Sequence, residues 1–247
     1  MKIALIGTTY PYRGGLATYN ERLVTEFQQQ GHDVTVYTFT MQYPNFLFPG
    51  KTQYSEEKGP ENLNIIRCIN SANPLNWNTV GSRIKKEKPD LVLVKFWLPF
   101  MGPCFGTILR KVKTNNHSKV ICIVDNMIPH EKRIGDTIFT KYFVKPIDGF
   151  IAMSENVYED INQFDSNKPK LLSPHPIFDS FGDIAPREDA LKKLKLDPKH
   201  RYLLFFGLIR KYKGLDILIE AFAHPKFRNS NIKLIIAGEY YSDKEEY

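Results

Sequence analysis

The chain has 247 residues, 42% of them hydrophobic and 25% charged, with a formal net charge of +7. Such values describe a folded chain of one or two domains rather than a disordered one. No apolar run reaches the roughly 18 residues that span a bilayer. Cys68, Cys104 and Cys122 lie far apart without metal-ligand spacing, which fits a reducing compartment and argues against a disulfide framework. The start, "MKIALIGTTYPYRGG", lacks the length and small-residue cleavage site of a signal peptide, so a cytoplasmic location is expected. The positive balance favours anionic partners, but the lysines are scattered and no recognition-helix motif is present, so nucleic acid is not an expected partner.

Strand candidates follow in order: "KIALIG" (2–7), "DVTVYTFT" (33–40), "LNIIRCI" (63–69), "DLVLVKFW" (90–97), "KVICIVD" (119–125), "GFIAMS" (149–154) and "PKLLS" (169–173). Most are continuous runs of Val, Ile and Leu, the pattern of strands buried on both faces of a parallel sheet. Helical patterns lie between them. Leu16, Tyr19, Leu23 and Phe27 recur at steps of three and four, predicting an apolar face on one helix, with Gly31 as its stop. Residues 78–88, 136–145 and 155–164 read as further helices, the last with Ser154 as its cap. The alternation predicts a doubly wound, Rossmann-like α/β domain.

Residues 41–62 interrupt the rhythm with Pro, Gly, aromatics and charge, as a loop at an acceptor site, a mobile lid or an ordinary insertion. The stretch 96–113 places Trp97, Phe100, Met101 and Phe105 before Arg110, Lys111 and Lys113. Two readings are open: a helix that dips into a membrane interface, or a core helix with a solvated basic end, the second being preferred. A further break at "SPHPIFDSFGDIAP" (173–186) reads as a linker. Beyond it, "REDALKKLKL", "YLLFFGLI", "GLDILIEAF" and "IKLIIAGEY" predict the start of a second Rossmann-like domain. About 60 residues with two strong strands are too few to complete one, so the sequence is expected to be a fragment or a truncated form.

Two loops are candidates for chemistry. In open α/β sheets, ligands bind beyond the carboxyl ends of the strands. "GTTYPYRGG" (7–15) occupies that place after the first strand. Gly14 and Gly15 let a ligand approach the backbone and the start of the next helix. The spacing is not GxGxxG, and a glycine-rich turn without a ligand is the alternative. "FFGLIRKYKGLD" (205–216) sets Arg210 and Lys213 between Gly207, at a strand end, and Gly214, at a helix start. Both cations suit a diphosphate through charge-assisted bonds. A solvated basic loop is the alternative.

Four stretches, "PYRGGLATYNERLVTEFQQQGHDVTVYT", "FIAMSENVYEDI", "FFGLIRKYKGLDILIEAF" and "IKLIIAGE", together resemble the retaining, GT-B-fold glycosyltransferases of family 4, in the family's order and over essentially the whole chain. The resemblance implies two Rossmann-like domains facing each other across a cleft. These are an acceptor-side domain over 1–175, a linker over 176–186 and the start of a donor-binding domain over 187–247. It also implies transfer of a sugar from a nucleotide-diphosphate sugar to a hydroxyl acceptor such as a polysaccharide or lipid-linked glycan, with retention and without a metal or other cofactor. On the same basis Gly14 and Gly15 match the loop near the donor phosphates, and Gly207 and Lys213 match the glycine and lysine of the family's GR(x)4KG signature. Leu208 stands where the signature has arginine, and Arg210 is the expected substitute. Asp125 stands where the family commonly has a histidine that contacts the donor sugar, with His130 and Glu131 close by. Asp125 and His130 are therefore the candidate catalytic residues. The family's E(x)7E pair is not found in the sequence given. Peripheral contact with the inner membrane face is a further expectation. Two other classes stay open: a nicotinamide-dependent or sugar-nucleotide-modifying enzyme, and a non-catalytic fragment that binds only an acceptor or a partner.

Overall fold

A computed structural model describes residues 1–44, 48, 50–129, 131–177, 182–228, 230–241, 245 and 247. The chain forms two compact units, one of Met1–Leu47 and Gln53–Pro176, the other of Phe48–Thr52 and Ile177–Tyr247.

The first unit runs β1 (Lys2–Ile6), α1 (Gly15–Gln29), β2 (Asp33–Met41), β3 (Asn64–Asn70), α2 (Pro74–Glu87), β4 (Leu91–Phe96), α3 (Gly102–Lys113), β5 (Lys119–Val124), α4 (Asp136–Val144), β6 (Gly149–Ala152), α5 (Glu155–Asn162) and β7 (Lys170–Leu172). Its seven strands form one sheet in the order β3-β2-β1-β4-β5-β6-β7, and every pairing is parallel. The strand order reverses between β1 and β4, as in a doubly wound sheet. Side chains alternate across it. Ile3, Leu5, Val34, Val36 and Leu93 pack with Val24 of α1, while Ala4, Ile6, Tyr37, Phe39, Val92, Val94 and Phe96 join the larger cluster with α2, α3 and α4. Phe96 and Phe143 stack there with ring centroids 4.1 Å apart.

Two local expectations shift, and a third, the preferred core reading of 96–113, agrees with the packing. Helix α2 starts four residues before the predicted 78, because Pro74 occupies its first turn and Asn73 Oδ1 accepts from the N–H groups of Leu75 and Asn76. In α1 the fully buried positions are Ala17, Asn20 and Val24, with Leu23 and Phe27 only packed alongside. In the 96–113 stretch, Met101 and Phe105 are fully buried and Trp97 and Phe100 pack against the same core. Arg110 lies over the Tyr142 ring at 3.6 Å and Lys113 pairs with Asp148 at 2.8 Å. The apolar side of α3 is thus core, and these residues present no face for a bilayer. Among the described residues, no helix is long and apolar enough to cross a membrane.

The second unit holds α6 (Arg187–Leu194), β8 (Arg201–Phe206), α7 (Leu215–Phe222), α8 (Pro225–Arg228) and β9 (Ile232–Ala237). Strands β8 and β9 pair in parallel from Arg201↔Ile232 to Phe206↔Ala237, with α7 and α8 in the crossover.

Candidate functional site

The parallel sheet of the first unit gathers its chemistry at one edge. Gly7 follows β1, Lys95 is the penultimate residue of β4, Asp125 follows β5 and Met153 follows β6. All of them lie at the carboxyl edge where such sheets receive ligands.

The β1–α1 turn is braced from several sides. Asn20 Nδ2 donates to the Thr8 carbonyl at 2.8 Å, Thr8 Oγ1 donates to Gln42 at 3.2 Å, and the Tyr10 N–H donates to Glu21 Oε1 at 2.6 Å. Residues 53–55, within the stretch read as a loop or lid, are tied to this turn. Arg13 N–H donates to the Gln53 carbonyl at 3.0 Å and Ser55 N–H to the Pro11 carbonyl at 2.8 Å. Residues 45–47 and 49 of that stretch lie outside the described residues. The turn ends at Gly14, whose φ of 103° suits glycine. Gly14 caps α1 with no side-chain hydrogen bond, and α1 has no acidic residue in its first turn. A Cβ at Gly14 or Gly15 would meet nothing within 4 Å. The positive end of a fifteen-residue helix is therefore left without an anionic or capping side chain.

Asp125 is joined by a residue that the sequence reading passed over. Lys95 is 2% exposed and its Nζ lies 3.0 Å from Asp125 Oδ1. The same ammonium stands 3.4 Å from the centroid of the Tyr19 ring and 3.8 Å from Met153 Sδ. Alternation along β4 explains the burial: Lys95 shares the face of Leu93, beneath α1, and α1 brings Tyr19. Burial pulls the Lys95 ammonium below its ordinary value, opposed by Asp125. Burial likewise pushes the Asp125 carboxyl up, opposed by Lys95 and by His175. Tyr19 is raised by burial and by Asp125, and its ring lies 5.2 Å from that of His175. The buried Asp125 Oδ2 has no hydrogen-bond partner among the described residues. The signal for Lys95 was present in "DLVLVKFW", a lone charge inside an otherwise apolar strand. Candidate His130 lies outside the described residues.

The other candidates belong to the second unit. Gly207, with φ 127°, directly follows β8. Arg210 then enters a single 3-10 turn, Lys211–Lys213, which the Lys213 N–H closes onto the Arg210 carbonyl at 2.9 Å. The turn therefore joins the backbones of Arg210 and Lys213. Gly214, with φ 69°, both ends the turn and starts α7, again without a side-chain cap. Lys213 is exposed, and Arg210 is half-buried with its guanidinium 5.3 Å from the Tyr241 ring centroid. Each unit thus places a helix that starts at a positive-φ, uncapped glycine just after a parallel strand.

Two family models match the chain in sequence order. That of Glycosyltransferase Family 4 covers residues 13–172, and that of Glycosyl transferases group 1 covers residues 186–247. The chain belongs to Glycosyltransferase Family 4. The GT-B-type α/β fold class goes with that membership. Solved structures agree on the fold. An E. coli trehalose-6-phosphate structure bound with UDP-2-fluoro glucose matches with TM-score 0.56 and 10% identity, over 100% of this chain and 66% of that one. An alpha-glucosyltransferase in complex with UDP-glucose and DNA matches with TM-score 0.54 and 9% identity, over 96% and 57%. The UDP-GlcNAc 2-epimerase of Methanocaldococcus jannaschii matches with TM-score 0.51 and 13% identity, over 96% and 73%. This family 4 chain thus spans 57 to 73% of the length of these structures. No curated protein sequence matches it. Because an epimerase shares the fold, architecture alone does not select an activity.

Proposed function

We propose that this family 4 chain moves a sugar from a nucleotide-diphosphate sugar to a hydroxyl acceptor with retention. One observation supports this most directly. Both candidate loops end in glycines that start uncapped helices, α1 at Gly14 and α7 at Gly214, and the second carries Arg210 and Lys213 in one turn. Unpaired helix N–H groups and fixed cations are what a diphosphate requires. On this reading Arg210 and Lys213 neutralise the departing diphosphate, and in the first unit Gly14 and Gly15 leave the start of α1 open to an anion. Asp125 lines the sugar end.

The step balances within the substrates. The bond from the sugar anomeric carbon to the diphosphate oxygen breaks, and its electron pair leaves with the diphosphate. The acceptor oxygen forms the new bond from the same face, and its proton passes to the leaving diphosphate. The protein contributes electrostatic stabilisation of charge that develops on the leaving group, with no covalent intermediate on the chain.

Titration calorimetry with UDP-glucose as probe tests the reading. Each charge-assisted bond contributes about 1.5–3 kcal/mol, so Arg210→Ala/Lys213→Ala is expected to weaken binding by a hundredfold or more while the circular dichroism stays unchanged. Wild-type affinity in the double variant would overturn the assignment of the loop to the diphosphate. Product analysis with the intact chain then separates transfer from mere binding.

A further inference from the structure

Lys95 has no role in the scheme above, yet it is the most deeply buried cation of the candidate site. At 2% exposure it is out of reach of solvent, and a lysine is almost never buried this far unless paired. An ammonium has three N–H donors. Three partners surround this one: Asp125 Oδ1 at 3.0 Å, the Tyr19 ring at 3.4 Å to its centroid and Met153 Sδ at 3.8 Å. Its capacity is taken up inside the protein, so it is not a ligand-binding cation. The Tyr19 face also prevents the ammonium from reaching out to water as surface lysines do.

Asp125 is in the opposite position. Oδ1 accepts from Lys95, whereas Oδ2 is buried with no donor among the described residues. An ionised carboxylate has about four acceptor sites, and leaving them empty in a buried place is unfavourable. The groups facing the carboxyl are Lys95, Cys122, Tyr19 and His175. Of these, Cys122 is a fully buried thiol that burial keeps protonated, and Tyr19 is held protonated in the same way. Lys95 is therefore the group in direct contact that stabilises the negative charge on Asp125, and none of the described residues gives Oδ2 a hydrogen. The side chain of Asp125 is 19% exposed at the carboxyl edge of the sheet.

We propose that Lys95, held by the face of Tyr19, is a positioning residue that keeps Asp125 ionised as a hydrogen-bond acceptor for a hydroxyl of the sugar substrate. The inference rests on the glycosyltransferase reading for its ligand, and on the geometry of the first unit for the rest. Without Lys95 the buried carboxyl keeps its proton to higher pH. The bond from the sugar hydroxyl then loses its charge assistance and weakens. Lys95 thus acts through the charge of Asp125, not by touching substrate.

Carbon-13 NMR of the aspartate carboxyls, with the Asp125 signal assigned by its loss in Asp125→Asn, tests the first half without any ligand. The Asp125 midpoint is expected to rise by two pH units or more in Lys95→Met. Tyr19→Leu, a change at a half-buried helix position, is expected to raise it by a smaller amount, and it decides the matter if Lys95→Met does not fold. An unmoved midpoint in whichever variant folds overturns the proposal. For the second half, UDP-glucose affinity is followed against pH. Lys95→Met is expected to bind at least tenfold more weakly at neutral pH and to bind best only at pH values above its raised midpoint, whereas Lys95→Arg restores part of the loss. Binding that is unchanged in Lys95→Met despite a shifted midpoint overturns the substrate role. Failure of the wild-type chain to bind any of UDP-glucose, GDP-mannose and ADP-glucose counts against the transferase reading itself, while the NMR result still stands or falls separately.

Discussion

Two parallel strand pairs with similar sequences meet different fates in this molecule. In the first unit β1 reads KIALI, and Ile3, Ala4, Leu5 and Ile6 are all nearly inaccessible, because α1 covers one face of the sheet and α2, α3 and α4 the other. In the second unit β8 reads RYLLFF, yet Leu203, Leu204 and Phe206 are 42%, 61% and 83% exposed. Both strands have the continuous apolar character that belongs in a sheet covered on both sides. The contrast shows that a strand's sequence states what covering it requires, while burial depends on how many helices and neighbouring strands are present to supply it. The interior strands of the seven-stranded sheet have that cover, whereas Leu171 of its edge strand β7 is 60% exposed; among the described residues β8 pairs only with β9.

The largest way to break that comparison is to cut into each core. Phe143, fully buried and stacked on Phe96, is expected to cost about 3–5 kcal/mol when changed to alanine. Leu204→Ala, at an exposed position, is expected to change stability by no more than about 0.5 kcal/mol. Trp77 and Trp97 are the only tryptophans and both lie in the first unit, so their fluorescence during urea unfolding reports that unit. Hydrogen exchange along β8 and β9 reports the other. Equal costs at the two positions would show that the second unit is packed as tightly as the first.

Much of this architecture was legible beforehand, and the reasons differ by feature. All seven strands of the first unit fall within the predicted runs to within a residue or two, and in β1, β4 and β5 burial on both faces leaves an unbroken apolar signature. The contact between Lys95 and Asp125 was not legible. It joins residues 30 positions apart through the β4–β5 register, in which Lys95 pairs with Ile123 and the Asp125 N–H donates to the Phe96 carbonyl at 2.9 Å. Nothing local in either strand announces it. The ambiguity of 96–113 had another source: periodicity marks an apolar face but not whether protein or lipid covers it, and the packing of Met101 and Phe105 resolves that for α3.

A second, smaller test uses charge. Only the first unit buries an ion pair of this kind among the described residues, and its pH response can be separated from the rest. Burial raises the Asp125 carboxyl, so the folded chain keeps that proton to higher pH than the unfolded chain. Its contribution to stability therefore falls as pH rises from the ordinary carboxylate value, about 3.9, to the raised folded value, and is constant outside that window. Lys95 is lowered by burial, so its contribution rises with pH between its lowered value and the ordinary lysine value, about 10.4. Lys95→Met/Asp125→Asn removes both slopes. Melting temperatures followed by tryptophan fluorescence are expected to show a flatter curve in both windows, with stability near neutral pH within about 1–2 kcal/mol of wild type. A double variant with the same pH profile as wild type would mean that the pair is not what makes the first unit respond to pH.

The smallest effects separate helix starts that serve the fold from those left open. Ser154 Oγ accepts from the Val157 N–H at 3.3 Å at the start of α5, and Ser154→Ala is expected to cost about 1 kcal/mol in urea unfolding. Gly15 is the first residue of α1, has no positive φ and would meet nothing within 4 Å if it carried a Cβ. Nothing in the fold requires glycine there, so Gly15→Ala is expected to stabilise by about 0.4–1 kcal/mol through the unfolded chain. If the same substitution weakens UDP-glucose binding, stability and affinity have moved in opposite directions. That combination distinguishes a glycine kept so that a phosphate can approach from one kept for the turn. A Gly15→Ala chain that is both more stable and equally good at binding would remove the start of α1 from the candidate site and leave the diphosphate to the Arg210–Lys213 turn alone.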